Sequence, residues 1–348
     1  MQIGFFDVNK RLERLDKLND PLKVLLNLID FEIFREEIEK GLEKERKDNS
    51  GRKPFDKVML FKGLIIKRLY DLSNDELEFQ ITDRTTFRRF LGIDENAMSP
   101  DANTFWLFSD ELSKNGIIDK LFAKFDEFLN NKGYTAQGGT MIDASFVEVP
   151  KQRNTKEENK EIKEGKIPQS FTKNVHRFAQ KDTDARWTKK GDVNYYGYKN
   201  HVNADVKYKF VRNYEVTSAE VHDSQPFISL LMEYINRNSF PCAAWADSAY
   251  MSDDLLKFLA SKGIQANVNE RAYRNKPLTE EQKADNRIKS RTRARVEHIF
   301  GFMENTLSAG MIRTIGIIRA KSQVALINLT YNLFRFCQLE KAKSLVMA

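Results

Sequence analysis

Gly138-Gly-Thr-Met-Ile-Asp143-Ala-Ser-Phe-Val-Glu-Val149 decides the architecture. Upstream of the two glycines the apolar residues recur at helical spacing. From Thr140 to Val149 the pattern shifts to period two, the signature of a strand. A short apolar run inside that strand ends at Asp143. The same arrangement returns in Ala243-Ala-Trp-Ala-Asp247-Ser-Ala-Tyr250, where a second buried strand, Cys242 to Ala246, ends at an aspartate.

Working upstream, residues 1–132 read as an all-helical domain. Asn19-Asp20-Pro21 is a helix start with proline in the first turn, and Val58, Leu60, Phe61, Leu64, Ile65 and Leu69 form a helical stripe. Ser73-Asn-Asp-Glu76 is a capping box. It opens a short helix followed by a tight turn and a basic segment carrying Arg84, Arg88 and Arg89, a helix-turn-helix pattern with DNA contacts expected at Arg88 and Arg89.

Downstream, Tyr195–Val202, Ala204–Asn213 and Tyr214–Val221 read as further antiparallel strands. The polar stretch at about 151–191 reads as a basic loop or flexible insertion. A helix from Asp223-Ser-Gln-Pro226 follows, then the strand ending at Asp247, a helix capped by Ser252, and a strand over Ile264–Val268. Asn286–Asn305 is predicted helical, with Val296, Ile299, Phe300 and Met303 on one face, and Lys321–Leu339 is predicted to be an amphipathic helix. The fold class is therefore α/β with a mixed sheet, preceded by the helical domain. The catalytic core is placed at 133–315, and a C-terminal helix at 316–348 packs on it.

Chemistry concentrates on three acids: Asp143, Asp247 and Glu297 of Arg293-Ala-Arg-Val-Glu297-His-Ile-Phe-Gly301. Carboxylates backed by apolar chain are costly to desolvate unless they hold a cation. Three in one pocket repel one another and cannot all ionise without metal. Oxygen-only ligands suit a hard ion such as Mg²⁺. The 348 residues carry a net charge of +7, with basic residues concentrated at 151–212 and 271–295, which favours a polyanionic partner. Cys242 and Cys337 form no metal-spacing motif and read as reduced thiols. With neither a signal-peptide pattern nor a membrane-length apolar run, the chain is expected to be cytoplasmic, with no membrane partner and no small-molecule substrate. Phosphodiester chemistry on nucleic acid is the simplest reading.

The motifs around these acids go further. Phe55-Asp-Lys-Val58 through Tyr70-Asp-Leu-Ser73, Phe87-Arg-Arg-Phe-Leu-Gly92 and Ser99-Pro-Asp-Ala-Asn-Thr104 resemble the N-terminal domain of the DDE transposases of bacterial insertion sequences, most closely the insertion sequence five group. Asp182-Thr-Asp-Ala-Arg-Trp187, Tyr196-Gly-Tyr-Lys-Asn-His201 and Val221-His-Asp-Ser224 resemble its catalytic domain. The resemblance implies an RNase H-like core and a catalytic, metal-binding triad of Asp143, Asp247 and Glu297. It also implies two Mg²⁺ ions (Mn²⁺ able to substitute), binding to double-stranded terminal inverted repeats and target DNA, and work as a homodimer associated with the nucleoid. Arg293 falls on the family's arginine position as a phosphate contact; Lys199, His201 and Arg295 are further expected DNA contacts. Two positions depart from the family pattern: Ser290 stands where a tyrosine is usual and Glu304 where a lysine is usual. Two alternatives stay open, a different nuclease on the same fold and a catalytically weakened DNA-binding descendant, the second of which Ser290 and Glu304 favour.

Overall fold

The structure, a computed structural model, describes residues 7–18, 20–43, 53–237, 241–272 and 277–347. The Phe5-Phe6 terminus and residues 273–276 of the second basic run lie outside it. The chain divides into two compact units, Met1–Lys124 with Asn332–Ala348, and Phe125–Tyr331.

The first unit holds α1 (Asp7–Lys17), α2 (Pro21–Leu28), α3 (Arg35–Gly41), α4 (Lys57–Leu69), α5 (Asn74–Asp83), α6 (Thr85–Leu91), α7 (Ala102–Lys114) and the start of α8 (Ile117–Asn131). Local chemistry places the starts. Asp20 accepts from the Leu22 amide with Pro21 in the first turn, and the Ser73/Glu76 capping box is formed in both directions. Phe34, Phe61, Phe87, Phe90 and Phe105 are buried, each contributing roughly 1.5–3 kcal/mol. Gly63 has no side chain because Phe105 fills the space a Cβ would need.

The second unit is built on a six-stranded sheet: β1 (Thr140–Glu148), β2 (Arg186–Lys190), β3 (Val193–Asp205), β4 (Val211–Ser218), β5 (Ala243–Ala246) and β6 (Gln265–Val268). β3 lies antiparallel between β1 and β4, while β5 and β6 add in parallel on the far side of β1. The core order β4-β3-β1-β5-β6 is an RNase H-like mixed sheet, with β2 as an extra strand on the outer end of β3. The three antiparallel strands expected downstream resolve differently: 195–205 belongs to one long strand, and the hairpin turns only at 206–210. Asp205 fixes that turn by accepting from the Tyr208 and Phe210 amides, and fully buried Arg212 ties Asp205 to Asp126 and the Tyr134 carbonyl.

The stretch at 151–191, expected as a loop, carries secondary structure: α9 (Lys156–Lys163), α10 (Gln169–Thr172), α11 (Val175–Phe178) and β2. Its own small core explains this, since Ile162, Phe171 and Ala185 are buried. Asp182, 1% exposed, accepts from the Asp184, Ala185 and Gly316 amides and from the Tyr198 hydroxyl.

α12 (Phe227–Arg237) and α13 (Asp253–Ser261) pack on one sheet face, where Ile142, Leu231, Ala244, Tyr250 and Leu259 share a core. α14 (Glu280–Leu307) packs against β1 and β5. It starts well before the expected Asn286, because Thr279 and Gln282 form a capping box. α15 (Ile317–Met347) differs from the amphipathic helix expected there. Residues 324–331 are buried on every side, even polar Asn328, which exchanges hydrogen bonds with Asn200.

Candidate active site

Asp143 sits fourth in β1, and the parallel pairing of β1 with β5 brings Asp247 to it. Thr140 is registered with Ala244 and Met141 with Trp245, an offset of 104 (244 − 140). The same offset, 247 − 143, separates the two aspartates, so the register carried past the end of β5 sets them side by side. Gly139 permits the approach of the strands: a Cβ there would run into the Trp245 ring and the Ala243 carbonyl. Trp245 is thus a packing residue of the strand pair. Asp247 caps the turn Ser248–Tyr250, accepting from the Ala249 amide at 2.8 Å.

The side chain of Asp143 is 17% exposed. Burial pushes its carboxyl up to about 6, and the charge of Asp247 pushes the same way. The Ala144 amide, Arg293 and Lys190 act against them. α14 supplies the rest of the site. Val296, Ile299, Met303 and Leu307 face inward, which turns Arg293, Glu297 and Glu304 to another face at spacings of four and seven. Arg293 donates to Asp143 Oδ2 at 3.1 Å and to Glu297 Oε1 at 3.2 Å. Glu304 accepts from Ser145 Oγ at 3.1 Å, and Ser145 shares the Asp143 face of β1. Ser290 accepts from Asn269 Nδ2 at 2.9 Å.

The structure therefore brings Asp143 and Asp247 together directly, and Glu297 to Asp143 through Arg293. In kind, these oxygen donors suit a hard cation, and a buried carboxyl resisting ionisation is one that a cation would relieve. Among the described residues, no three acid, histidine or cysteine side chains already enclose an ion-sized space.

Four expected DNA contacts are placed elsewhere. Lys199 is buried, its ammonium bonded to the Val221 carbonyl and to Asp223 Oδ1 at 2.7 and 2.8 Å. His201 is fully buried and hydrogen-bonded through Nε2 to Thr217 Oγ1; burial lowers its pKa to about 4. Both pair across from Phe146 and Ala144, on the sheet face opposite Asp143. Arg88 turns inward to the carbonyls of Asp94 and Ala97, and Arg89 is held by Asp16 and Asp20. All four side chains make hydrogen bonds within the fold. Arg295 is exposed, with one amino group on the Val206 carbonyl.

Tyr250 was legible in the Asp247-Ser-Ala-Tyr250 motif, yet the sequence assigns it no role. It is buried, and its hydroxyl has no partner. Burial, with the charges of Asp143, Asp223 and Asp247, pushes that hydroxyl well above its usual range. Asp223 is committed to Lys199.

Residues 135–333 match the Transposase DDE domain family, and residues 10–111 match Transposase domain (DUF772). The chain belongs to the DDE transposase family. A solved structure, the piggyBac transposase synaptic complex with hairpin DNA, is similar at a TM-score of 0.49 and 13% identity, covering 93% of this chain and 76% of that one. Within this transposase, the matched DDE region contains all six strands, both aspartates and α14. No described helix is long and apolar enough to cross a membrane.

Proposed function

We propose that this transposase belongs to the insertion sequence five group, binds the terminal inverted repeats of its element, cleaves the element ends and joins the freed 3′-hydroxyl to target DNA. The observation that carries the reading is the shared register of Asp143 and Asp247, with Glu297 linked to Asp143 by Arg293. Asp143, Asp247 and Glu297 would hold the two Mg²⁺ ions through their carboxylate oxygens. Bound there, the ions would activate the attacking oxygen and neutralise the leaving one. Arg293 and exposed Arg295 contact phosphates, and two protomers act together on paired ends, as the family resemblance implies.

The test is a cleavage assay on duplexes carrying the element ends, with Mg²⁺ or Mn²⁺, using wild type, Asp143→Asn and Glu297→Gln. End binding retained by all three proteins, with 3′ nicking by wild type alone, supports the reading. Binding without nicking by wild type would sink it in favour of a DNA-binding descendant, the alternative raised by Glu304. Nicking of duplexes without the repeats would instead indicate a general nuclease on the same fold.

A further inference from the structure

We propose that the cavity beside the end of β1 docks a backbone phosphate of the substrate DNA, away from the catalytic acids; the inference rests on the transposase reading above. The cavity, about 360 Å³, is lined by Lys151, Arg177, Lys181 and Arg313, with Gln152 and Thr314 between them. Asp182 is the one carboxylate on its wall, and its oxygens are already committed to three amides and the Tyr198 hydroxyl.

The cations are gathered against their own repulsion. Arg177 and Lys181 both lie over the Phe171 ring, at 5.6 and 5.2 Å. Glu158 pairs directly with Arg177 at 3.1 Å and acts on Lys181 only through its charge. Lys181 bonds only uncharged oxygens, of Arg153 and Asn154; burial, and then Arg177, lower its pKa. Lys151 and Arg313 are exposed. The Thr314 hydroxyl oxygen is buried with no partner, and a buried donor left over calls for a ligand. One phosphate would satisfy the hydroxyl and relieve the crowded charge together.

Placement favours DNA over a free anion. The cavity begins at Val149, six residues (149 − 143) beyond Asp143 on the same strand run. At roughly 3.3 Å per residue that is about 20 Å, or about six nucleotides of one DNA strand at ~3.4 Å each. Basic and aromatic side chains mark the interval. Trp187 is 45% exposed, with Lys151 5.9 Å over its ring. The Glu148–Met311 bridge holds the following residues, Arg313 and Thr314, against this end of β1.

The test is the double variant Lys151→Gln/Arg313→Gln, whose exposed side chains leave the fold intact, with melting temperature as the control. Binding of an end duplex is measured over a salt titration in EDTA, so the readout needs no catalysis. The expected result is weaker binding, by about tenfold at low salt, with the log–log salt slope reduced by about 1–2 for the one or two phosphates released. Shortening the duplex to fewer than about six nucleotides past the scissile position should remove the difference between the two proteins. Equal affinity and slope would overturn the proposal. So would a variant that loses stabilisation by inorganic pyrophosphate yet keeps the wild-type DNA slope, because the site would then take a small anion. Wild-type protein that fails to bind duplex at all would remove the transposase reading itself.

Discussion

Arg293 joins the first and third acids of the site, one amino group on Asp143 Oδ2 and the other on Glu297 Oε1, at 3.1 and 3.2 Å. Its guanidinium occupies the same carboxylate oxygens that a divalent ion would take, so the two cations compete. Arg293→Gln should therefore raise affinity for Ca²⁺ or Mn²⁺, on the order of tenfold for about 1.4 kcal/mol of lost competition. Calorimetric titration of the DNA-free protein measures it. Unchanged or weaker ion binding in the variant would show that Arg293 organises the acids and does not stand in an ion's place.

Glu304 puts a carboxylate on the α14 face that carries Arg293 and Glu297, two residues along β1 from Asp143 through its bond to Ser145. A polyanion approaching that face meets repulsion. Glu304→Lys should tighten end binding and steepen the log–log salt slope by about 1–2, as one repulsive charge becomes an attractive one. The bond lost at Ser145 is exposed and costs little stability. A flat response in gel-shift affinity across salt would mean that DNA does not pass over this part of the helix.

Much of this arrangement was legible in the chain because it is encoded locally. Capping boxes, proline starts and the apolar run ending at Asp143 each depend on a few neighbouring residues, and the structure forms them where they are written. What was not legible depends on partners far along the chain. Arg88 and Arg89 look like DNA contacts on a basic helix, but Arg89 is claimed by Asp16 and Asp20, about seventy residues upstream. Lys199 and His201 sit in a motif that resembles the family's catalytic domain, yet strand pairing turns them to the face opposite Asp143. The 151–191 segment looked too polar to fold, but Ile162, Phe171 and Ala185 are buried within it, with Arg177 and Lys181 over the Phe171 ring. Its Thr155/Glu158 capping box was a readable signal.

Arg88 is 7% exposed and reaches two backbone carbonyls, of Asp94 and Ala97, that close the loop between α6 and α7. Replacing it with alanine leaves the Ala97 carbonyl without its donor, while the Asp94 carbonyl keeps the Ala97 amide. Arg88→Ala should lower stability by about 1–3 kcal/mol, the cost of the one acceptor stranded. Urea unfolding followed by tryptophan fluorescence measures the loss. DNA affinity of the folded fraction should stay near wild type; a variant of full stability with reduced DNA binding would return Arg88 to the role its helix first suggested.

His201 gives the fold an acid-sensitive point. Its ring is fully buried beside β4, with Nε2 on Thr217 and Nδ1 without a partner. Burial sets its pKa to about 4, against an ordinary 6.5, with the positive charge of Lys199 acting the same way and Asp223 opposing. The folded state therefore binds a proton less readily than the unfolded chain. Stability from this group is fully present above pH 6.5 and is lost as the pH falls toward about 4. The loss is on the order of 3 kcal/mol. His201→Gln, which keeps a polar group for Thr217 and cannot titrate, should be somewhat less stable than wild type at pH 7. Its disadvantage should shrink or reverse by pH 4.5. The melting temperatures of the two proteins across that range decide it, and parallel curves would mean that His201 takes its proton without unfolding the sheet.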